Sequence, residues 1–411
     1  MSVGADVIDK AVIPGNVPAD RVVDYNMFDF VGPDEDFHQA IKRFQGPHIP
    51  SLIWTPHNGG HWLVTRREAM REIYHNPEVF SSRVIVFPKV AGENYDLIPT
   101  GMDAPDHKGV RQIVDKILNL REVRSLEGKI REIAIELIEK HLALGHMDFA
   151  AEYATQLPVR VFMEIMDLPQ KDGPVLKAHA SQILRPDGET ADEMADSVHR
   201  AIREFYAYLE PILEERWGKP GNDGVATVAN SAFNDQPMMK KMALSICANL
   251  LLAGLDTVVG FLGFMMLFLA RNPSYVKQLT DDPESIPSSV EELFRRFPIV
   301  GDGRILSRDF EFDGVKLKEG DMIQMVTALS GLDEEVNEDP WTVDFHRKKP
   351  LHETFGAGIH RCAGLHLART EVTVTLEEWL KRIPEFRVVE GTKPHYLTGH
   401  VATVENIQIE W

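Results

Sequence analysis

Cys362 is the residue in this chain best placed to do chemistry. Residues 355–371 read FGAGIHRCAGLHLARTE. A glycine-rich turn leads to the thiol, and an apolar helical pattern starts just after it. A thiol at a helix N-terminus faces backbone N–H groups and the positive end of the helix dipole, which favour the thiolate. Such a thiolate is either a nucleophile or a metal ligand. As a nucleophile it needs a base, and His360 is the near candidate. Gly356 and Gly358 permit tight turning, while Gly364 leaves room for something flat to approach the backbone.

Two other pairs stand out. Glu292 and Arg295 lie one helical turn apart in Glu-Leu-Phe-Arg. Alone they read as an ordinary surface ion pair of little worth. Asp256 and Thr257 interrupt the apolar run ANLLLAGLDTVVGFLGFMMLFLA, residues 248–270. A Thr hydroxyl competes for the carbonyl four residues back, here that of Ala253, and Gly254 weakens the helix. A groove opened there admits water, and an acid beside an alcohol can then relay protons.

The elements that must position these residues are mostly helical. Apolar spacing of three and four predicts helices over 105–118, 122–143, 157–166, 190–217, 237–271, 287–296 and 365–382, with a short one over 67–75. Residues 50–55 and 61–65 flank His57-Asn58-Gly59-Gly60 and read as a hairpin. Residues 305–326 alternate, with Asp313-Gly314 as a turn, and 384–411 alternate again. Residues 83–104 read as a long loop, a frequent site of function.

Composition narrows the function. Among 411 residues, 63 are acidic and 44 basic, giving a formal charge of -19. That excludes a general nucleic-acid binder, which needs a basic surface, and disfavours docking on anionic lipid. The two cysteines, Cys247 and Cys362, are far apart and suggest neither a disulfide framework nor a zinc site. A reducing, cytoplasmic setting is the natural expectation. The 248–270 run is long enough to span a bilayer, but Asn249, Asp256 and Thr257 inside it favour a core helix, with no membrane association.

Phe355, Gly358, His360, Cys362 and Gly364 together resemble the haem-ligating loop of the cytochrome P450 family. The Glu292–Arg295 pair, about 70 residues earlier, and the Asp256–Thr257 pair match two further motifs of that family. The likeness covers nearly the whole chain and is greatest to bacterial terpenoid hydroxylases of the camphor-oxidising type. It is carried by HNGGHWLVTR (57–66), GENYDLIPTGMD (92–103), LRPDG (184–188), AGLDTVV (253–259), VEELFRRF (290–297), DGRIL (302–306) and LSGLDE (329–334).

The resemblance implies a mainly α single-domain fold with small β-sheets over 1–411, an α-rich lobe beside a smaller β-rich lobe, and an irregular arm over 1–26. It implies haem b, with Cys362 as axial iron ligand and His107, Arg111, Asp302, Arg304 and His360 at the propionates. Phe355 and Gly254 complete the cofactor contacts. Asp256 and Thr257 would handle protons, with Lys177 and Arg185 holding Asp256. The Glu292–Arg295 pair would be a buried structural clamp, and Thr342 stands where that clamp usually has a third, arginine member.

Tyr95 matches a hydrogen-bond donor to substrate. Val86, Leu184, Asn249, Leu252, Val300, His400 and Val401 match the pocket. Asn249 and His400 add polar groups there, either for a substrate oxygen or for a protein neighbour. The stretch Gly92–Tyr95 resembles a potassium-binding loop, although Arg83 replaces an acidic residue. The implied reaction is hydroxylation of a small bicyclic monoterpenoid, camphor- or cineole-like, with O2. Its electrons would come from a [2Fe–2S] ferredoxin supplied by an NADH-dependent ferredoxin reductase. Arg71, Lys108, Arg111, Lys349 and Arg361 match the docking face for that ferredoxin, where Glu78 replaces a basic residue. A norisoprenoid substrate, a peroxygenase, a non-catalytic haem sensor and a Cys362–His360 hydrolase are the rival readings.

Overall fold

Where the sequence is apolar on every face, the chain has no choice but to bury it. Residues 240–271 are such a stretch. They have the composition of a membrane span, yet 78% of their most apolar window is buried inside the protein, so they form its central helical stretch. The computed structural model describes residues 10–33, 35–93 and 96–411.

Six helices carry most of the site, with Tyr74 and Phe162 added from the helices Arg67–Tyr74 and Gln156–Ile165. The six are α1 (Asp106–Leu118), α2 (Gly173–Leu184), α3 (Lys240–Gly254), α4 (Thr257–Arg271), α5 (Ile286–Arg296) and α6 (Leu365–Arg382). The expected single helix over 237–271 is therefore two, broken at Leu255–Asp256. The Thr257 hydroxyl donates to the Ala253 carbonyl at 2.9 Å. That is the competition expected of a Thr following a weak helical Gly. Gly254 has a second reason to be glycine, since a Cβ there would lie 2.2 Å from the Phe162 ring.

The largest sheet has the order β1-β2-β5-β4-β3, with β1 Leu52–Thr55, β2 His61–Val64, β3 Phe80–Ser81, β4 Gly301–Leu306 and β5 Met322–Val326. It joins the two ends of the chain beside the helical middle. The β1–β2 hairpin pairs Leu52 with Val64 and Thr55 with His61. Asn58, Gly59 and Gly60 turn it with positive φ. The Asp313-Gly314 pair, both at positive φ, turns a separate hairpin of Phe310–Phe312 and Val315–Leu317. The tail forms short strands ending with Gln408–Glu410. One cluster of buried apolar residues runs from Val17 to Ile409 and draws on helices and sheets alike.

The Glu292–Arg295 pair is a buried clamp. Arg295 is 0% exposed and grips Glu292 through Nε at 2.8 Å and Nη2 at 2.7 Å. Its remaining N–H groups donate to the carbonyls of Gly331, Pro340 and Thr342 at 2.7–3.0 Å. The third charged member is Arg347, whose Nε reaches Glu292 at 3.1 Å. This corrects the assignment of that place to Thr342, which supplies only its carbonyl. The clamp ties α5 to the segment leading into the Cys362 loop. One residue before that loop, Thr354 donates to the Phe294 carbonyl at 2.7 Å.

Removing one partner of a buried, fully bonded ion pair strands the other charge, at a cost of about 3–5 kcal/mol. Glu292→Ala is thus expected to lower the melting temperature sharply and abolish folded, haem-loaded protein. Thr342→Ala, which keeps the carbonyl, is expected to stay within about 0.5 kcal/mol of wild type in denaturant unfolding.

Candidate functional site

Short hydrogen bonds and left-handed glycines build the Cys362 loop. The Cys362 N–H donates to the Phe355 carbonyl at 2.9 Å, closing the loop on itself. Gly356 and Gly358 lie at φ +60° and +66°. A Cβ on Gly358 would come within 2.2 Å of the Tyr74 carbonyl oxygen, so no other residue fits there. The Phe355 ring lies under the Arg369 guanidinium at 4.8 Å and against the Phe294 ring. Helix α6 begins three residues after the thiol.

The Cys362 sulfur sits deep in the fold but is open to a cavity. Burial raises its pKa; the N–H of Gly364 and the charges of Arg111, Arg369 and Arg361 pull the other way without prevailing. This differs from the expectation that the helix end would favour the thiolate. Desolvation outweighs a helix terminus here, so a stable thiolate in this place needs a cation at the sulfur.

The cavity lies between the Cys362 loop with α6 on one side and the α3–α4 break on the other. Phe162, Leu250, Val258, Phe261 and Val300 give it apolar walls, with Gly254 and Thr257 at the break. One end is polar, where Tyr74, His107, Arg111, Asp302 and His360 converge. The His107 and His360 rings are 4.2 Å apart. His360 is held neutral, its pKa pushed down to about 2 by burial and by Arg304, His107 and Arg111. His360 Nε2 and Tyr74 Oη are buried without a hydrogen-bond partner. Arg304 stands just behind, donating to Asp302 at 2.8 Å, with its guanidinium over the Tyr74 ring.

Asp256 lies at the break between α3 and α4 and is 0% exposed. Lys177 Nζ reaches its carboxylate at 3.0 Å and Arg185 Nη2 at 2.8 Å. Burial alone would raise this pKa, but the two cations outweigh it and hold the carboxyl below its ordinary value. Ser181 was not singled out from sequence. Its hydroxyl accepts from Lys177 at 2.8 Å and donates to Asp256 at 3.2 Å. Helix α2 carries both Lys177 and Ser181. Its apolar signal, Leu176, Ala180 and Ile183, is short, and the Pro174 at its start was the available cue.

The residues matched to the pocket separate into two groups. Asn249 and Val300 line the cavity. Val86, Leu184, Leu252, His400 and Val401 are not among its lining residues. His400 Nε2 is engaged with the backbone of Phe87, 3.0 Å from its N–H and 3.3 Å from its carbonyl, which is the protein-neighbour alternative. Val401 bridges Val300 and its carbonyl accepts from Arg185 at 2.6 Å. Tyr95 and Asn94, and with them part of the potassium-loop expectation, lie outside the described residues. Arg83 is exposed, with its guanidinium 3.7 Å from Asp103.

Comparison with known proteins fixes the family. The sequence profile described as Cytochrome P450 matches residues 174–399. The chain is 31% identical to the probable cytochrome P450 127A1 of Sinorhizobium fredii over 97% of both sequences. It is 30% identical to the mycinamicin IV hydroxylase/epoxidase of Micromonospora griseorubida over 82% of this chain and 86% of that one. The solved structure of CYP101J2 superposes with a TM-score of 0.88 at 39% identity, covering 98% of this chain and all of the other. That of CYP101C1 does so at 35% identity with the same TM-score, covering 97% of this chain and all of the other.

The chain belongs to the cytochrome P450 family. It is a monooxygenase, and haem b is its cofactor. The residues of this P450 fit that group. The unpartnered hydroxyl of Tyr74 and the Arg111 guanidinium, with the His107 and His360 rings beside them, suit two carboxylates at the cavity end. A metal cation at the sulfur is what the buried Cys362 requires. Neither the Cys362–His360 hydrolase nor the non-catalytic sensor agrees with membership of this enzyme family.

Sequence reasoning also passed over Glu371. It lines the cavity from α6, and its carboxyl has no ion-pair or hydrogen-bond partner among the described residues. Burial alone pushes its pKa up to about 8 from an ordinary 4.5. Its place among the buried residues Leu367, Val372 and Val374 of α6 was the available signal. Between those two pH values the folded P450 holds a proton that the unfolded chain has lost. Stability therefore falls as pH rises from about 4.5 to about 8 and levels off above. Glu371→Gln is expected to flatten that slope in melting temperatures of the holoenzyme. Equal slopes in both proteins would contradict the assignment.

Proposed function

We propose that this P450 hydroxylates a small bicyclic monoterpenoid, camphor- or cineole-like. It uses O2 and single electrons from a [2Fe–2S] ferredoxin that an NADH-dependent reductase keeps reduced. The supporting observation is the cavity itself. Its walls are Phe162, Leu250, Val258 and Val300, with few polar groups beyond the propionate end. Such a space binds a compact hydrocarbon frame and leaves a single oxygen to orient it. The likeness to CYP101J2 and CYP101C1 along almost the whole chain supports the same reading.

The bound haem iron supplies dioxygen activation, and this chain supplies everything around it. Cys362 Sγ would bind the haem iron, and His107, Arg111, His360 and Tyr74 would hold its carboxylates, with Arg304 fixing Asp302 beside them. Asp256 stores a negative charge behind the α3–α4 break, held by Lys177, Arg185 and Ser181. Thr257 Oγ1 stands at the cavity side of that break. Release of Asp256 from its cations lets it accept a proton from solvent and pass it towards Thr257. General acid–base transfer of this kind contributes roughly 10²–10⁴-fold.

The ferredoxin would approach from the Cys362 side. Lys108, Lys349 and Arg361 are exposed, while Arg71 and Arg111 are partly exposed and paired with Glu353 and Asp115. A local basic face on a chain of charge -19 favours an acidic partner by steering. The protein is read as cytoplasmic.

The reduced, CO-treated protein is expected to show the strongly red-shifted Soret band of thiolate ligation, and Cys362→Ser to lose it. Bicyclic monoterpenoids are expected to convert the haem from low to high spin; no response across a panel would refute the substrate class. Asp256→Asn is expected to slow turnover by roughly 10²-fold with the CO spectrum intact. Thr257→Ala should keep consuming NADH but divert it to peroxide.

A further inference from the structure

The cavity wall carries a pair of polar side chains bonded to each other. Asn249 on α3 is buried, and its Nδ2 donates to Thr100 Oγ1 at 2.9 Å. Both residues line the cavity. The loop that presents Thr100 is held to the same helix one turn earlier. Ser245 Oγ contacts the Asp96 carbonyl and accepts from the Ile98 N–H at 3.2 Å.

The hydrogen-bond count of the pair is unbalanced. Asn249 brings two N–H donors and Thr100 one O–H donor. A single bond between the two side chains consumes one donor, whichever way the amide is turned. Two donors remain, and no acceptor meets them among the described residues. Donors left bare beside Leu250, Val258 and Val300 are costly, and an acceptor oxygen on a ligand would satisfy them.

We infer that Asn249 and Thr100 form a subsite for a hydrogen-bond-accepting oxygen, a ketone or ether, on an otherwise apolar substrate. The inference rests on the monoterpenoid reading and deepens it. It places the anchor on α3 and the 96–100 loop, so that the substrate oxygen is directed to this wall and the opposite face of the frame is offered for reaction. Sites built to hydrogen-bond one group discriminate against analogues that lack it.

The test is a spin-state titration of the haem-loaded protein with three matched ligands. These are camphor (a ketone), 1,8-cineole (an ether) and bornane (the camphor skeleton without oxygen). Wild type, Thr100→Val and Asn249→Leu are compared. The expected result is a tenfold or greater weakening of the ketone and ether in both variants, with bornane changed less than twofold. Equal weakening of all three ligands would mean that the pair only pins the loop, and would overturn the inference. So would variants that bind all three as wild type does. A wild type that responds to none of the three overturns the monoterpenoid reading and this inference together. A responding wild type with non-discriminating variants overturns the inference alone.

Discussion

Burial holds the Cys362 thiol above its ordinary range, and the loop around it keeps the sulfur in that dry place. Much else in the fold follows from this constraint. The sulfur needs a cation that the protein does not itself place in contact with it. Arg111, Arg361 and Arg369 act only from a distance. The Phe355–Cys362 closure, the two left-handed glycines and the clamp of Glu292, Arg295 and Arg347 all fix where that sulfur stands. A ligand atom fixed by its surroundings reorganises little when charge changes at its partner.

Asp256 meets the opposite condition. It too is buried, but two cations and a hydroxyl surround it, and it stays ionised. Two buried acids are thus treated in different ways: burial favours the protonated thiol of Cys362, while paired cations keep Asp256 ionised. Glu371 is a third solution, a carboxyl kept neutral by its apolar setting.

The chemistry-bearing residues were legible because their types are rare in their settings. A Cys in a glycine turn, an acid–alcohol pair in an apolar run and an Asp-Gly turn each have few physical uses. The long helices were legible from their period. What escaped was set by tertiary context. Gly254 and Thr257 hinted at the break, but the packing of Phe162 against Gly254 beside it is visible only in the fold. Arg347 joined the clamp from five residues beyond Thr342, a distance that loop geometry alone decides. His400 was one of two polar candidates, and only the fold shows it engaged with Phe87 while Asn249 faces the cavity.

Gly358 presses so closely on Tyr74 that a methyl group would strike the Tyr74 carbonyl. Tyr74 in turn carries its ring beneath Arg304 and its hydroxyl to the polar end of the cavity. The sulfur loop and the carboxylate-binding end therefore meet at one close backbone contact, which leaves no room for a side chain at Gly358 and sets the distance between the two ends of the cofactor site.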